Sequence, residues 1–133
     1  SRDMPRSLVT RADCGRADAA TLASDDTEKR VYDITGPEAL TASEIAAIVA
    51  EITGKPLSHA DVPAEVLRQG MTGAGMPPTL VGAMLGFDIA TAQGYFGVVT
   101  DAVEKLTGHA PTRLRDFLTA NKDALLAPPP QQG

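Results

Sequence analysis

Residues 41–54 carry the clearest helical pattern of apolar positions in the chain. Apolar side chains recur there at i, i+3, i+4 and i+7, which places them on one face of a helix: Ile45, Ile48, Val49 and Ile52. Thr41 and Glu44 form a T-x-x-E capping box at its start, and Gly54 is a natural stop at its end. The pattern therefore predicts a helix with defined ends.

Shorter patterns predict the other elements. Apolar spacing and capping residues predict helices within 11–24, 63–75, 79–89, 101–108 and 110–126, with Thr10, Thr79 and Thr100 as N-caps and Pro63 at a first helical position. Short stretches at 8–10, 31–35 and 55–62 alternate or are β-branched, which favours strands.

The fold class predicted from these elements is α+β and helix-dominated, with five or six helices and two or three short strands. We expect a single domain over residues 1–126. Residues 127–133, "APPPQQG", predict a disordered Pro/Gln tail because their proline content cannot pack regularly.

Composition excludes several classes of function. The net charge of −5 over 133 residues argues against a nucleic-acid binder, which needs clustered Lys and Arg. No apolar run approaches the length of a transmembrane helix, so we expect no membrane partner. A single cysteine, Cys14, rules out an internal disulfide and predicts a reducing, cytoplasmic location.

Three stretches together resemble the C-terminal half of NmrA-like proteins, the atypical short-chain dehydrogenase/reductases that include NAD(P)H:quinone oxidoreductase-like members. They are "VTRADCGRADAATLAS" (9–24), "VYDITGPEALTASEIAAIVAEITGKPL" (31–57) and "VVTDAVEKLTGHAPTRLRDFL" (98–118). The resemblance implies that the chain is the substrate-lobe half of an NmrA-like α/β fold, with residues 31–35 as the last strand of its sheet.

The same resemblance shows what the sequence lacks. Family members hold the dinucleotide at a glycine-rich turn between the first strand and a helix. No such turn follows a strand here, because the glycines of "GMTGAGMPP" follow a helix, and no Tyr-x-x-x-Lys pair is present. We therefore expect a small-molecule-binding substrate lobe that binds no NAD(P) and does not itself transfer hydride.

An acquired metal site is the alternative chemistry. His59 and Asp61 share one face of a strand at i, i+2, so both could reach one divalent metal such as Zn, with Asp13 as a third ligand. If the chain is an enzyme, this pair would carry metal-assisted hydrolysis of an ester or phosphoester. A structural histidine at a sheet edge, and a carboxylate at a helix N-terminus, explain the same residues without chemistry. A non-enzymatic regulatory or interaction module is a further alternative.

A group of methionines and aromatic residues predicts the substrate pocket, because flexible Met side chains and rings suit a small apolar ligand. The group comprises Met71, Met76, Met84, Phe87, Tyr95 and Phe96; ordinary core packing is the alternative. A strand at 31–35 without neighbours would expose its backbone, so we also predict a homodimer that covers this edge.

Overall fold

The computed structural model describes residues 3–128. Its elements follow in the order β1 (Arg6–Ser7), α1 (Arg11–Ala23), β2 (Ala39–Leu40), α2 (Ala42–Thr53), α3 (Ala64–Gly73), α4 (Pro78–Ala92), α5 (Ala102–Thr107), α6 (Leu114–Ala120) and α7 (Lys122–Leu126). The two strands pair antiparallel, with Arg6 opposite Leu40 and Ser7 opposite Ala39. The helix-dominated α+β prediction is confirmed.

Helix α1 is held at its N-terminus by its own first turn. Thr10 accepts a hydrogen bond from the Asp13 N–H at 3.1 Å, as an N-cap should. The helix packs against α5, and the contact is made by small and β-branched side chains: Ala17, Ala102 and Val103 are all buried.

Helix α2 has the ends that its sequence predicts. The Thr41 hydroxyl accepts from the Glu44 N–H at 3.2 Å, while the Glu44 carboxylate accepts from the Thr41 N–H at 2.8 Å. Gly54 ends the helix in the left-handed conformation, at φ 69°. The apolar face of α2 lies against α6 and α7.

Helices α3 and α4 form a hairpin. Gly75 turns the chain at φ 81°, and the Met76 N–H closes the turn on the Met71 carbonyl oxygen at 3.1 Å. Val81 and Leu85 are the buried residues of α4 that lie one turn apart. Helix α4 carries apolar residues around most of its circumference, and those that do not pack are exposed, including Leu80, Met84 and Phe87.

The strand predictions at 8–10, 31–35 and 55–62 are wrong. The first strand lies two residues earlier, at Arg6–Ser7, and the other two stretches are neither helix nor strand. A strand requires a partner strand for its backbone groups, and the sheet of the described residues contains β1 and β2 alone.

The helix count and some helix ends also differ from the prediction. The last predicted helix divides at Asn121 (φ −111°), whose amide donates to the Phe117 carbonyl oxygen, so α6 and α7 are separate and the described residues hold seven helices. Pro77 and Asp101, rather than Thr79 and Thr100, occupy the N-cap positions of α4 and α5. Pro63 precedes α3 as its N-cap. The tail prediction falls largely on residues 129–133, which lie outside the described residues.

Candidate functional site

A cavity of about 330 Å³ lies between residues 31–35 and the segment that follows α4. We call it the aromatic cavity, and its lining residues are Ser7, Tyr32, Asp33, Ile34, Thr35, Tyr95, Phe96 and Val98. Both tyrosines of the chain belong to this lining. Aromatic and aliphatic side chains thus line the aromatic cavity together with a small set of polar groups.

Hydrogen bonds from Thr100 fix one wall of the aromatic cavity. The Thr100 N–H donates to Thr35 Oγ1 at 2.9 Å, and Thr100 Oγ1 donates to the Asp33 carbonyl oxygen at 2.5 Å. Gly36 adds a close approach, since a Cβ built there would lie 1.7 Å from the Leu8 carbonyl oxygen. Residues 31–36 are therefore held in place although they join no sheet.

The opposite wall is positioned by the end of α4. Gly94, at φ 84°, turns the chain out of the helix and directs it into Tyr95 and Phe96. The Phe96 carbonyl oxygen accepts from the Ser7 N–H at 2.6 Å. The Phe96 ring contacts Phe87 with centroids 6.1 Å apart and planes tilted by 39°, which is a favourable aromatic geometry.

The predicted pocket group is divided by the structure. Tyr95 and Phe96 line the aromatic cavity, and Phe87 reaches it through the Phe96 ring. Met71 and Met76 are half-buried in the α3–α4 hairpin, and Met84 is exposed on α4.

Sequence reasoning missed Tyr32, Ile34 and Val98, which complete the apolar lining. The alternating pattern of 31–35 placed Tyr32 and Ile34 on one side of the predicted strand, and this was the available signal. What the pattern could not show is that residues 95–98 pass beside them.

The side chains of His59 and Asp61, the predicted metal-binding pair, contact each other. His59 Nε2 lies 3.1 Å from Asp61 Oδ1, with the histidine half-buried and the aspartate exposed. Asp61 also borders a wider depression of about 670 Å³ between the start of α3 and the end of α4, together with Asp88 and Ile89.

Asp13, the third predicted metal ligand, is buried and engaged elsewhere. Its Oδ2 accepts from the Thr112 N–H at 2.7 Å and from Thr10 Oγ1 at 2.9 Å, and its Oδ1 accepts from Arg16 at 3.1 Å. Burial acts to raise the pKa of the Asp13 carboxyl, but the hydrogen bonds from Thr112 and Thr10 outweigh it and hold the pKa below its ordinary value.

Within residues 3–128, no group of three or more His, Cys, Asp or Glu side chains is arranged to hold a metal ion. The metal-dependent hydrolase therefore stays a prediction that rests on the His59–Asp61 pair. None of the helices in this range has the length and apolar character needed to cross a bilayer.

Comparison with known proteins places these features in context. No protein-family model matches the chain. The chain is 30% identical over 118 residues to the NAD(P)H azoreductase of Xenophilus azovorans, covering 89% of this chain and 41% of that protein. It is 25% identical over 111 residues to quinone oxidoreductase 2 of Escherichia coli (strain K12), covering 84% and 39%.

Solved structures agree with these sequence relatives. An NADPH-dependent quinone oxidoreductase from Escherichia coli superposes with a TM-score of 0.84 at 23% identity, covering 90% of this chain and 44% of that one. The triphenylmethane reductase of Citrobacter sp. superposes with a TM-score of 0.81 at 26% identity, covering 94% and 42%. The chain thus spans about two fifths of the length of the relatives that it matches.

Proposed function

We propose a ligand-binding function on the premise that the chain belongs to the NmrA-like family of NAD(P)H-dependent quinone and azo reductases. In this proposal the chain is the substrate lobe of such a reductase, and the aromatic cavity receives the ligand. The observation that carries the proposal is the convergence of Tyr32, Tyr95 and Phe96 on one cavity.

The size and lining of the cavity support a small aromatic ligand. A volume of about 330 Å³ is at the lower end of the range for small-molecule sites, which is about 300–1,000 Å³. Tyr95 and Phe96 are 70% and 39% exposed, so their rings are available to a bound molecule. Planar molecules gain from offset stacking or edge contact with such rings.

The polar groups of the lining favour a ligand with oxygen or nitrogen acceptors. Ser7 and Thr35 carry hydroxyls at the cavity wall, although the Thr35 hydroxyl already bonds with Thr100. Ser7 Oγ makes one long bond of 3.4 Å, to the Gly36 carbonyl oxygen, and could be redirected to a ligand. Quinones and azo compounds, the classes named for the relatives, combine a flat ring system with such acceptors.

The chain alone binds this ligand without reducing it. A dinucleotide-binding site needs a glycine-rich turn between a strand and a helix, which places the pyrophosphate at the helix N-terminus. Four glycines of the described residues have positive φ, namely Gly54, Gly75, Gly94 and Gly108, and each of them follows a helix, whereas the dinucleotide turn follows a strand. A hydride donor would therefore have to be bound by another polypeptide segment.

Tyrosine fluorescence tests the proposal directly. The chain has two tyrosines and no tryptophan, so its intrinsic emission arises in the aromatic cavity. Titration with 1,4-naphthoquinone should quench that emission saturably, and NADPH added to the mixture should not be oxidised above the rate without protein. Quenching that rises linearly without saturation would contradict the binding proposal. Protein-dependent NADPH oxidation would contradict the claim that the chain transfers no hydride.

A further inference from the structure

A second cavity, of about 280 Å³, lies between the start of α1 and the start of α6, and we call it the α1–α6 cavity. Residues 8–11 line one side of it, and Thr112, Leu114 and Phe117 line the other. It shares no lining residue with the aromatic cavity. A molecule bound here would therefore be distinct from the ligand of the proposed function.

The two sides of the α1–α6 cavity are joined by direct hydrogen bonds. The buried Asp13 carboxylate accepts from Thr10 Oγ1 at 2.9 Å and from the Thr112 N–H at 2.7 Å, through the same oxygen. Thr10 and Thr112 belong to opposite sides of the lining. The bonds thus fix the separation of the two sides, as in the largely preformed pockets that bind small molecules.

Most of the lining is apolar. Leu8 and Val9 approach from the segment before α1, while Leu114 and Phe117 lie three residues apart on α6 and so share one face of that helix. Leu8 and Phe117 are each 43% exposed. An alkyl chain or ring held between them would be removed from water together with these side chains, which favours binding.

Arg11 is the single charged residue of the lining, and its side chain is exposed. The nearby negative charge of Asp13 is compensated, because Arg16 donates to Asp13 Oδ1 at 3.1 Å. The charge of Arg11 therefore remains as a net positive charge beside the apolar lining. A guanidinium group binds a carboxylate through two parallel N–H···O bonds.

We propose that the α1–α6 cavity binds a small amphipathic carboxylate, of the kind of a medium-chain fatty acid. The carboxylate pairs with Arg11, and the apolar body lies between Leu8 and Phe117. The volume of about 280 Å³ is just below the usual range of small-molecule sites, about 300–1,000 Å³. It limits the occupant to one short chain or ring.

Nuclear magnetic resonance with octanoate provides the first test, and 1-octanol is the uncharged counterpart of the same chain length. At equal concentration below the solubility limit of 1-octanol, octanoate should produce the larger amide shifts at residues 8–11 and 112–117. Arg11→Gln should weaken octanoate binding roughly fivefold, as expected for a partly hydrated ion pair, and should leave 1-octanol unaffected.

Arg68→Gln is the matched control, because it removes the same charge from α3, outside the lining. Its octanoate affinity should equal that of the wild type. Equal shifts from octanoate and 1-octanol would overturn the proposal, since the cavity would then recognise no carboxylate. Equal losses of octanoate affinity in the two arginine variants would overturn it as well, because the attraction would then depend on overall charge.

A crossed pair of variants provides the second test and separates this site from the aromatic cavity. Phe117→Ala should weaken octanoate binding and leave 1,4-naphthoquinone binding unchanged, whereas Phe96→Ala should do the reverse. A failure of naphthoquinone to bind would count against the proposed function alone, because the octanoate measurement does not depend on it. Loss of octanoate binding in Phe96→Ala, with retention in Phe117→Ala, would place octanoate in the aromatic cavity and overturn the second site.

Discussion

Thr100 and Thr35, which are 65 residues apart in the sequence, are joined by a hydrogen bond of 2.9 Å from the Thr100 N–H to Thr35 Oγ1. The Thr100 hydroxyl extends the connection to the Asp33 carbonyl oxygen. Together these bonds attach residues 31–35 to the entry of α5. They give a segment without sheet neighbours a defined position, and the aromatic cavity depends on that position.

Thr100→Val should weaken the attachment of residues 31–35, which form one wall of the aromatic cavity. Valine keeps the shape and the backbone N–H but removes the hydroxyl, which costs about 1 kcal/mol of unfolding free energy for the lost bond to Asp33. Urea unfolding followed by circular dichroism measures the loss, and the fluorescence titration should show weaker naphthoquinone binding. Thr119→Val is the control, because Thr119 Oγ1 bonds within α6, to the Arg115 carbonyl oxygen. Equal effects of the two substitutions on ligand binding would contradict a role for Thr100 in the cavity.

Phe96→Ala should weaken ligand binding more than it weakens the fold. Phe96 lines the aromatic cavity, so truncation removes its ring contact with an aromatic ligand, which is worth about 1 kcal/mol or roughly a fivefold loss of affinity. Phe117→Ala is matched in exposure, at 43% against 39%, and lies outside the cavity lining. The naphthoquinone titration should therefore distinguish the two variants. A similar loss of affinity in both would place the ligand elsewhere.

The sequence predicted best what is determined locally. The capping box of Thr41 and Glu44 and the stop at Gly54 involve residues close in sequence, and the structure confirms them. The strand predicted at 31–35 depends on a neighbour that periodicity cannot supply, so it was wrong for the described residues. Two of the predicted pocket residues, Tyr95 and Phe96, reach the cavity, because Gly94 turns the chain beside residues 31–35.

Asp13 illustrates the same distinction. Its place in the first turn of α1 was evident from sequence, but its bond to the Thr112 N–H spans 99 residues. That contact makes the side chain a buried link between α1 and the start of α6. No sequence pattern signals such a contact.

Asp13→Asn should destabilise the fold in a pH-dependent manner. The substitution replaces an ionised acceptor of three hydrogen bonds by a neutral amide, which costs about 1–3 kcal/mol of unfolding free energy near neutral pH. The pKa of Asp13 is lower in the folded than in the unfolded state, so its stabilising contribution is present above the ordinary value of 3.8 and is lost as pH falls through the folded pKa.

The difference between wild type and Asp13→Asn should therefore be largest near neutral pH and shrink below about pH 4. Urea unfolding at a series of pH values measures it. Asp18→Asn is the control on the same helix, because Asp18 is exposed and should show little change at any pH. A difference for Asp13→Asn that stays constant down to acid pH would show that the ionised carboxylate is not what stabilises the link.

Gly36→Ala should disturb the fold because the chain passes too closely there for a side chain. A Cβ at Gly36 would lie 1.7 Å from the Leu8 carbonyl oxygen, so residues 8 and 36 must separate, at a cost of roughly 1–3 kcal/mol of unfolding free energy. Gly15→Ala is the matched control, since a Cβ there meets nothing within 4 Å and α1 should gain about 0.5–1 kcal/mol. Urea midpoints should thus move in opposite directions for the same substitution. Because Gly36 also holds residues 31–35 beside Ser7, its variant should lose naphthoquinone binding, whereas the Gly15 variant should retain it. Unchanged stability and binding in Gly36→Ala would mean that residues 31–36 are not held against Leu8 in solution.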